Sequence, residues 1–157
     1  MNGIIMEIKL TSPSFSDGNM LDKKFTCDGK NISPALQWEN LPEGTNSIAI
    51  ICDDPDAPMG TFVHWVIYDI AGWMKALEEN VPGDETLENG IRQGINNFGH
   101  TGYGGPCPPS GTHRYFFRIY AIDKYIDSVT VMDKDLLLEK MQGHILGQGQ
   151  LVGKYKR

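Results

Sequence analysis

Apolar residues in this chain fall into short blocks separated by turn-forming residues, a rhythm that predicts strands rather than long helices. Residues 5–10 alternate Glu7 and Lys9 with apolar neighbours and read as a first strand. Residues 47–52 form an isoleucine-rich run, and residues 62–70 and 115–122 are β-branched and aromatic at both parities. Strands of that composition are covered on both faces, as in the middle of a layered sheet. Residues 150–155 read as a short last strand. Between these blocks lie turn clusters at residues 12–14, 28–31, 41–44, 54–60 and 98–111. One helix stands out near the C-terminus. Thr130 followed by Asp133 fits a capping pair, Leu137, Met141 and Ile145 recur every fourth position with Leu138 beside them, and Gly147 and Gly149 offer stops. A weaker helical turn is expected at residues 73–80. The elements add up to a mainly β, mainly antiparallel domain with one or two peripheral helices. At 157 residues, against about 150 per domain, a single domain over residues 1–157 is expected.

Charge and cysteine content narrow the function. The net charge of −6 argues against a nucleic-acid or anionic-membrane partner, so a bound anion needs a local site. The N-terminus has no basic region ahead of an apolar core, and no apolar run reaches the ~18 residues of a membrane span, which predicts neither a signal peptide nor stable membrane insertion. Cys27, Cys52 and Cys107 are an odd, scattered set without a CxxC pair. They read as small buried hydrophobes rather than a disulfide framework, and cytoplasmic location follows as the default.

Two loops carry candidate chemistry. Residues 53–60 hold Asp54 and Asp56 in a segment stiffened by Pro55 and Pro58, and lead into a strand bearing His64. In extended backbone the two acids point the same way. By parity, His64 shares a face with Phe62, Val66 and Tyr68, which on its own fits a core histidine. The second loop, residues 99–115, has glycines at 99, 102, 104, 105 and 111, whose N–H groups are raw material for an anion nest, and prolines at 106, 108 and 109 that limit its motion. His113 and Tyr115 share a parity at the start of the next strand and can face one pocket. Neither GxxxxGK[ST] nor a helix-opening GxGxxG is present. Imidazolium, phenol and backbone N–H would donate to an oxyanion, and the aspartates would act behind them by accepting from a ring N–H or a loop amide.

At these residues the sequence resembles the phosphatidylethanolamine-binding protein (Raf-kinase-inhibitor-like) family, in its compact prokaryotic branch. Asp54-Pro55-Asp56-Ala57-Pro58 with Val63-His64-Trp65 is similar to one family signature. Gly102-Tyr103-Gly104-Gly105-Pro106 through Pro108-Pro109-Ser110-Gly111-Thr112-His113-Arg114-Tyr115 is similar to the other. The likeness runs from about Ile8 to Tyr155 and includes Ser33-Pro34, Leu36, Trp38 and Gly143-His144-Ile145-Leu146. It implies a central antiparallel sheet layered against a smaller one, with a small anion pocket at one end. It also implies pocket roles for Asp54, Asp56, His64, Pro108, His113 and Tyr115, with Cys107 as lining, and a cis peptide at Ala57-Pro58. The loop from Pro58 to His64 is shorter than in eukaryotic members, and their C-terminal extension has no counterpart, so kinase regulation and phospholipid binding do not transfer with the signatures. A homodimer is compatible with this branch.

The expected function is therefore a binding module for a small oxyanion or phosphorylated group, without a cofactor, acting as a regulator or inhibitor by docking to a partner protein. No serine or cysteine stands in a nucleophile motif such as GxSxG, which disfavours an enzyme. A hydrolase using the His/Asp set, or a metal site at Asp54, Asp56, His64 and His113, remain the alternatives.

Overall fold

A computed structural model describes residues 4–157. Six strands form the larger sheet in the order β1 (Met6–Glu7), β9 (Ile145–Lys156), β8 (Thr112–Ile122), β4 (Ser47–Asp54), β5 (Phe62–Ala71), β7 (Arg92–Gln93). The smaller sheet is β2 (Lys9–Thr11), β3 (Leu36–Glu39), β6 (Ala76–Leu77). All pairings are antiparallel except β1 with β9. The expected mainly β architecture, a large sheet layered on a small one, is what the chain adopts.

The both-parity apolar strands sit where their composition requires. Every residue of β4 is buried, and its even positions Ile48, Ile50 and Cys52 pack with Leu10, Leu36, Trp38 and Leu77 between the two sheets. Its odd positions Ala49 and Ile51 face the opposite way, against Met132 and the single helix α1 (Lys134–Met141). Three layers result: small sheet, large sheet, helix. The helix begins one turn later than the Thr130 pattern predicts. Asp133 is its cap, with Oδ1 accepting from Leu136 N at 2.9 Å. Leu137 and Met141 are the buried positions, as their spacing requires.

Four expectations are corrected. Residues 5–10 do not make one strand: β1 joins the large sheet and β2 the small one, with buried Ile8 at the crossing donating its amide to the Gln148 carbonyl. Gly147 and Gly149 do not stop the helix but lie inside β9. A Cβ there would strike the Met6 carbonyl and Pro42, or the Ile8 carbonyl, so glycine lets the N-terminal strand pass tightly. The chain turns instead at Gly143, at φ +82°. Residues 73–80 hold strand β6 rather than a helical turn, because Trp38 N and Nε1 donate to the Lys75 and Met74 carbonyls and draw that segment alongside β3. The last strand is twelve residues long, not a short one. No helix among the described residues is long and apolar enough to cross a membrane.

Candidate functional site

The end of the large sheet where β4 and β5 begin or finish their pairing, together with the start of β8, gathers the predicted residues. Asp54 closes β4, and His113 lies near the start of β8, on the neighbouring strand. His113 Nδ1 donates to Asp54 Oδ2 at 2.6 Å, with both groups buried. An ionised carboxylate only accepts, so it fixes the ring's orientation with the proton on Nδ1. The second Asp54 oxygen accepts from Asp56 N at 2.7 Å and shapes the loop.

His64 reaches this cluster through a bulge. Cys52 pairs with Trp65 while Asp53 pairs with Val63, leaving His64 as the extra residue. Beyond the bulge, Val66 and Tyr68 pack toward the helix, whereas Trp65 and Ile67 face the inter-sheet core. His64 therefore does not share the face of Val66 and Tyr68 that simple alternation assigns it; one inserted residue inverts the parity. The ring packs edge-on against Tyr115, with centroids 5.1 Å apart, and Tyr115 lies 6.5 Å from His113 in nearly parallel planes. Tyr115 thus stands between the two imidazoles. Burial pushes its phenol well above the usual tyrosine range, so it stays a neutral hydroxyl.

His64 Nδ1 donates to the Gly104 carbonyl at 2.6 Å. Gly104 and Asp54 thus take the Nδ1 atoms of His64 and His113. Burial lowers the His64 pKa below 6.5, a shift that the Gly104 carbonyl and the Asp54 charge only partly oppose. A neutral His64 offers a lone pair at Nε2, whereas the protonated ring offers a donor.

The other predicted residues take different places. Asp56 points away from the histidines and into a forked pair with Arg114, at 2.9 and 2.8 Å, reinforced by the Arg114 amide at 3.0 Å. This guanidinium holds the Asp56 carboxyl down at about 2. Asp56 anchors the loop to β8. Pro108 is buried in the glycine-rich loop, and Cys107 is exposed and bonded to Cys27 across 80 residues. The expectation of no disulfide is thereby corrected. Buried Cys52 is the free cysteine, with its thiol pushed up by burial, and the inference from free cysteines to a cytoplasmic location loses its premise. The Ala57-Pro58 peptide is not cis, since no described peptide is. The turn closes instead through the Asp54–Asp56 contact, Gly60 N donating to the Ala57 carbonyl, and a left-handed Gly60.

The anion nest expected of the glycines is not formed by most of them. Gly99 N, Gly104 N, Gly105 N and Gly111 N donate to the Asn96, His64, Asn31 and Arg157 oxygens respectively. At 104 and 105 glycine is needed for close approach. A Cβ would enter the Phe98 ring at 104, and the Phe25 carbonyl and Asn31 side chain at 105. Gly105→Ala should therefore lower stability by about 2 kcal/mol, as measured by urea unfolding. An unchanged midpoint would contradict this packing role. Phe98, Asn31 and the Gly104 carbonyl were not readable as site elements, because their roles arise only when the loop folds back onto β5.

Larger hollows lie elsewhere. An open groove of about 850 Å³ is bordered by Lys9, Phe15, Arg118 and Gln150, and one of about 200 Å³ by Thr61, Asn97 and Lys134. The histidine cluster belongs to neither. His64 is 4% and His113 7% exposed, so both rings are almost wholly buried. Among the described residues no three His, Cys, Asp or Glu side chains converge to hold a metal ion.

Comparison with known proteins agrees with the fold. The chain is 50% identical over 161 residues to a UPF0098 protein of Aquifex aeolicus, covering 99% of this chain and 91% of that one. It is 48% identical over 150 residues to one from Methanothermobacter thermautotrophicus, covering 96% and 99%. A phosphatidylethanolamine-binding protein homologue of Chlamydia trachomatis superposes with a TM-score of 0.88 at 35% identity, covering 96% of this chain and 98% of that one. YbcL of E. coli, described as a member of the mammalian family, gives 0.86 at 30%, covering 96% and 99%. The model of the family matches residues 11–156, and the chain belongs to the phosphatidylethanolamine-binding protein family.

Proposed function

We propose that the chain binds a small oxyanion or a phosphorylated group at the Nε2 edges of His64 and His113, with Tyr115 between them. The observation that carries this reading is the buried 2.6 Å contact of His113 Nδ1 with Asp54, which fixes the orientation of one imidazole. The phosphate of the headgroup for which the family is named is an oxyanion of this kind. A phosphorylated group on a protein partner presents the same chemistry, and docking of such a partner is how a regulator built on this site would act.

Charge balance predicts the pH dependence. Arg114 is already paired with Asp56, and a neutral His64 offers no positive charge, so an anion gains a cation at this ring only in its protonated form. Strong binding then requires His64 to take up a proton. Since its pKa is lowered from 6.5, affinity should rise as pH falls below 6.5. Folding stability moves the other way without ligand. The unfolded chain accepts this proton more readily than the buried ring, so the stability His64 confers above pH 6.5 is lost as pH falls through its lowered value.

Thermal melts with sulfate, whose charge is constant across the range, and with phosphate and phosphoethanolamine test this at about pH 5.5 and about pH 8. The anions should raise Tm more at the lower pH, and His113→Ala should abolish the rise. Equal shifts at both pH values, or a shift that survives His113→Ala, would refute histidine-based binding.

A further inference from the structure

The Cys27–Cys107 bridge lies at the surface, and both of its residues are exposed. Its surroundings are asymmetric. The last residue, Arg157, is fixed by reciprocal backbone hydrogen bonds with Gly111 at 2.9 and 3.2 Å. Its guanidinium lies over the bridge, with Nη1 3.4 Å from Cys107 Sγ and 4.0 Å from Cys27 Sγ. Among the described residues the acidic side chain paired with it is Asp28, 3.4 Å from Arg157 Nη2, whose other oxygen accepts from the Tyr155 hydroxyl at 2.6 Å. Arg157 is thus only partly committed to a carboxylate. A cation beside one sulfur of an exposed disulfide is the arrangement that lets that sulfur leave as a thiolate.

We propose that the Cys27–Cys107 bridge is a thiol–disulfide exchange site for a dithiol, in which Arg157 receives the departing Cys107 thiolate. One thiolate of the dithiol attacks Cys27 Sγ. The protein S–S bond breaks, its electron pair leaves on Cys107 beside the guanidinium, and a mixed disulfide joins Cys27 to the reagent. The second thiolate of the reagent then attacks its own bonded sulfur and expels Cys27. The dithiol is oxidised to a disulfide, the bridge gains two electrons, and the two protons the dithiol gave up are matched by two taken up by the cysteines.

The fold is built to survive this opening. The two segments remain tied by Cys27 N to the Pro106 carbonyl at 3.0 Å, Gly105 N to Asn31 at 2.7 Å, and the Tyr103 hydroxyl to the Phe25 carbonyl at 2.7 Å. The sulfurs stay close enough to re-form the bond, which distinguishes an exchange site from a staple that opens only on unfolding.

The test treats the full-length oxidised chain with excess dithiothreitol well below its Tm. Samples are quenched with an alkylating agent and read by mass, while near-ultraviolet circular dichroism follows the fold. The bridge should open with the native spectrum retained. Arg157→Gln should slow opening about two- to fivefold, the range of one exposed charge contact. Asp28→Asn, which removes the competing carboxylate, should speed it. Lys156→Gln controls for a general loss of positive charge and should leave the rate unchanged. Opening only in step with loss of the spectrum would overturn the proposal, as would an Arg157→Gln rate no lower than that of Lys156→Gln.

Discussion

Asp54→Ala is expected to lower stability by about 3 kcal/mol and to remove the anion-dependent rise in Tm. The carboxylate is 3% exposed and satisfies two donors, the His113 ring and the Asp56 amide. Truncation leaves the ring donor buried and unpaired, at about 1–3 kcal/mol for such a group, and releases a loop amide as well. Asp54→Asn separates charge from shape. Its carbonyl can still accept one of the two bonds, so it should lose less stability, while its amide group cannot accept the other. Urea unfolding and sulfate melts of both variants check this. A loss under about 1 kcal/mol for the alanine variant, with the sulfate shift intact, would show that the pair is incidental to both folding and binding.

Replacing both bridged cysteines with serine should cost a similar amount by a different route. The bridge spans 80 residues, and closing so large a loop in the unfolded chain removes entropy worth about 4 kcal/mol at room temperature. For a chain of this size that corresponds to a fall of about 10 °C in Tm. The effect acts on the unfolded state, so the near-ultraviolet spectrum of the folded variant should match the oxidised protein. This agrees with the hydrogen bonds that hold the two segments together without the sulfurs. A Tm unchanged within error would mean that the denatured chain already keeps these segments close.

The two predictions fall on opposite sides of what a linear reading reaches. Asp54 and His113 were visible because acid and imidazole stand at the ends of strongly patterned strands, and antiparallel pairing of β4 with β8 brings such ends together. The bridge was not visible, because three cysteines without local spacing carry no signal of pairing. Only the folding of residues 25–31 against residues 103–107 brings two of them side by side.

His64 shows the same division more sharply. Its residue type marked it as a candidate, yet alternation assigned it the face of Val66 and Tyr68. The bulge opposite Cys52 and Asp53 reverses that assignment, and a bulge is set by how two strands fit rather than by either strand's composition. Asp54 and Asp56, two positions apart, were expected to act together. The turn instead sends one to His113 and the other to Arg114, because each finds an N–H donor on a different face of β8.

By itself the sequence determined the central strands β4, β5 and β8, the buried face of the helix and the residue types that can meet an oxyanion, since all three follow from short-range periodicity and side-chain chemistry. Tertiary structure decided the splitting of the first strand between two sheets, the pairing of the cysteines, and the use of glycine at 104, 105, 147 and 149 for close passage rather than for ligand contact. These depend on contacts between segments far apart in the chain, whose steric and hydrogen-bonding demands no local pattern encodes.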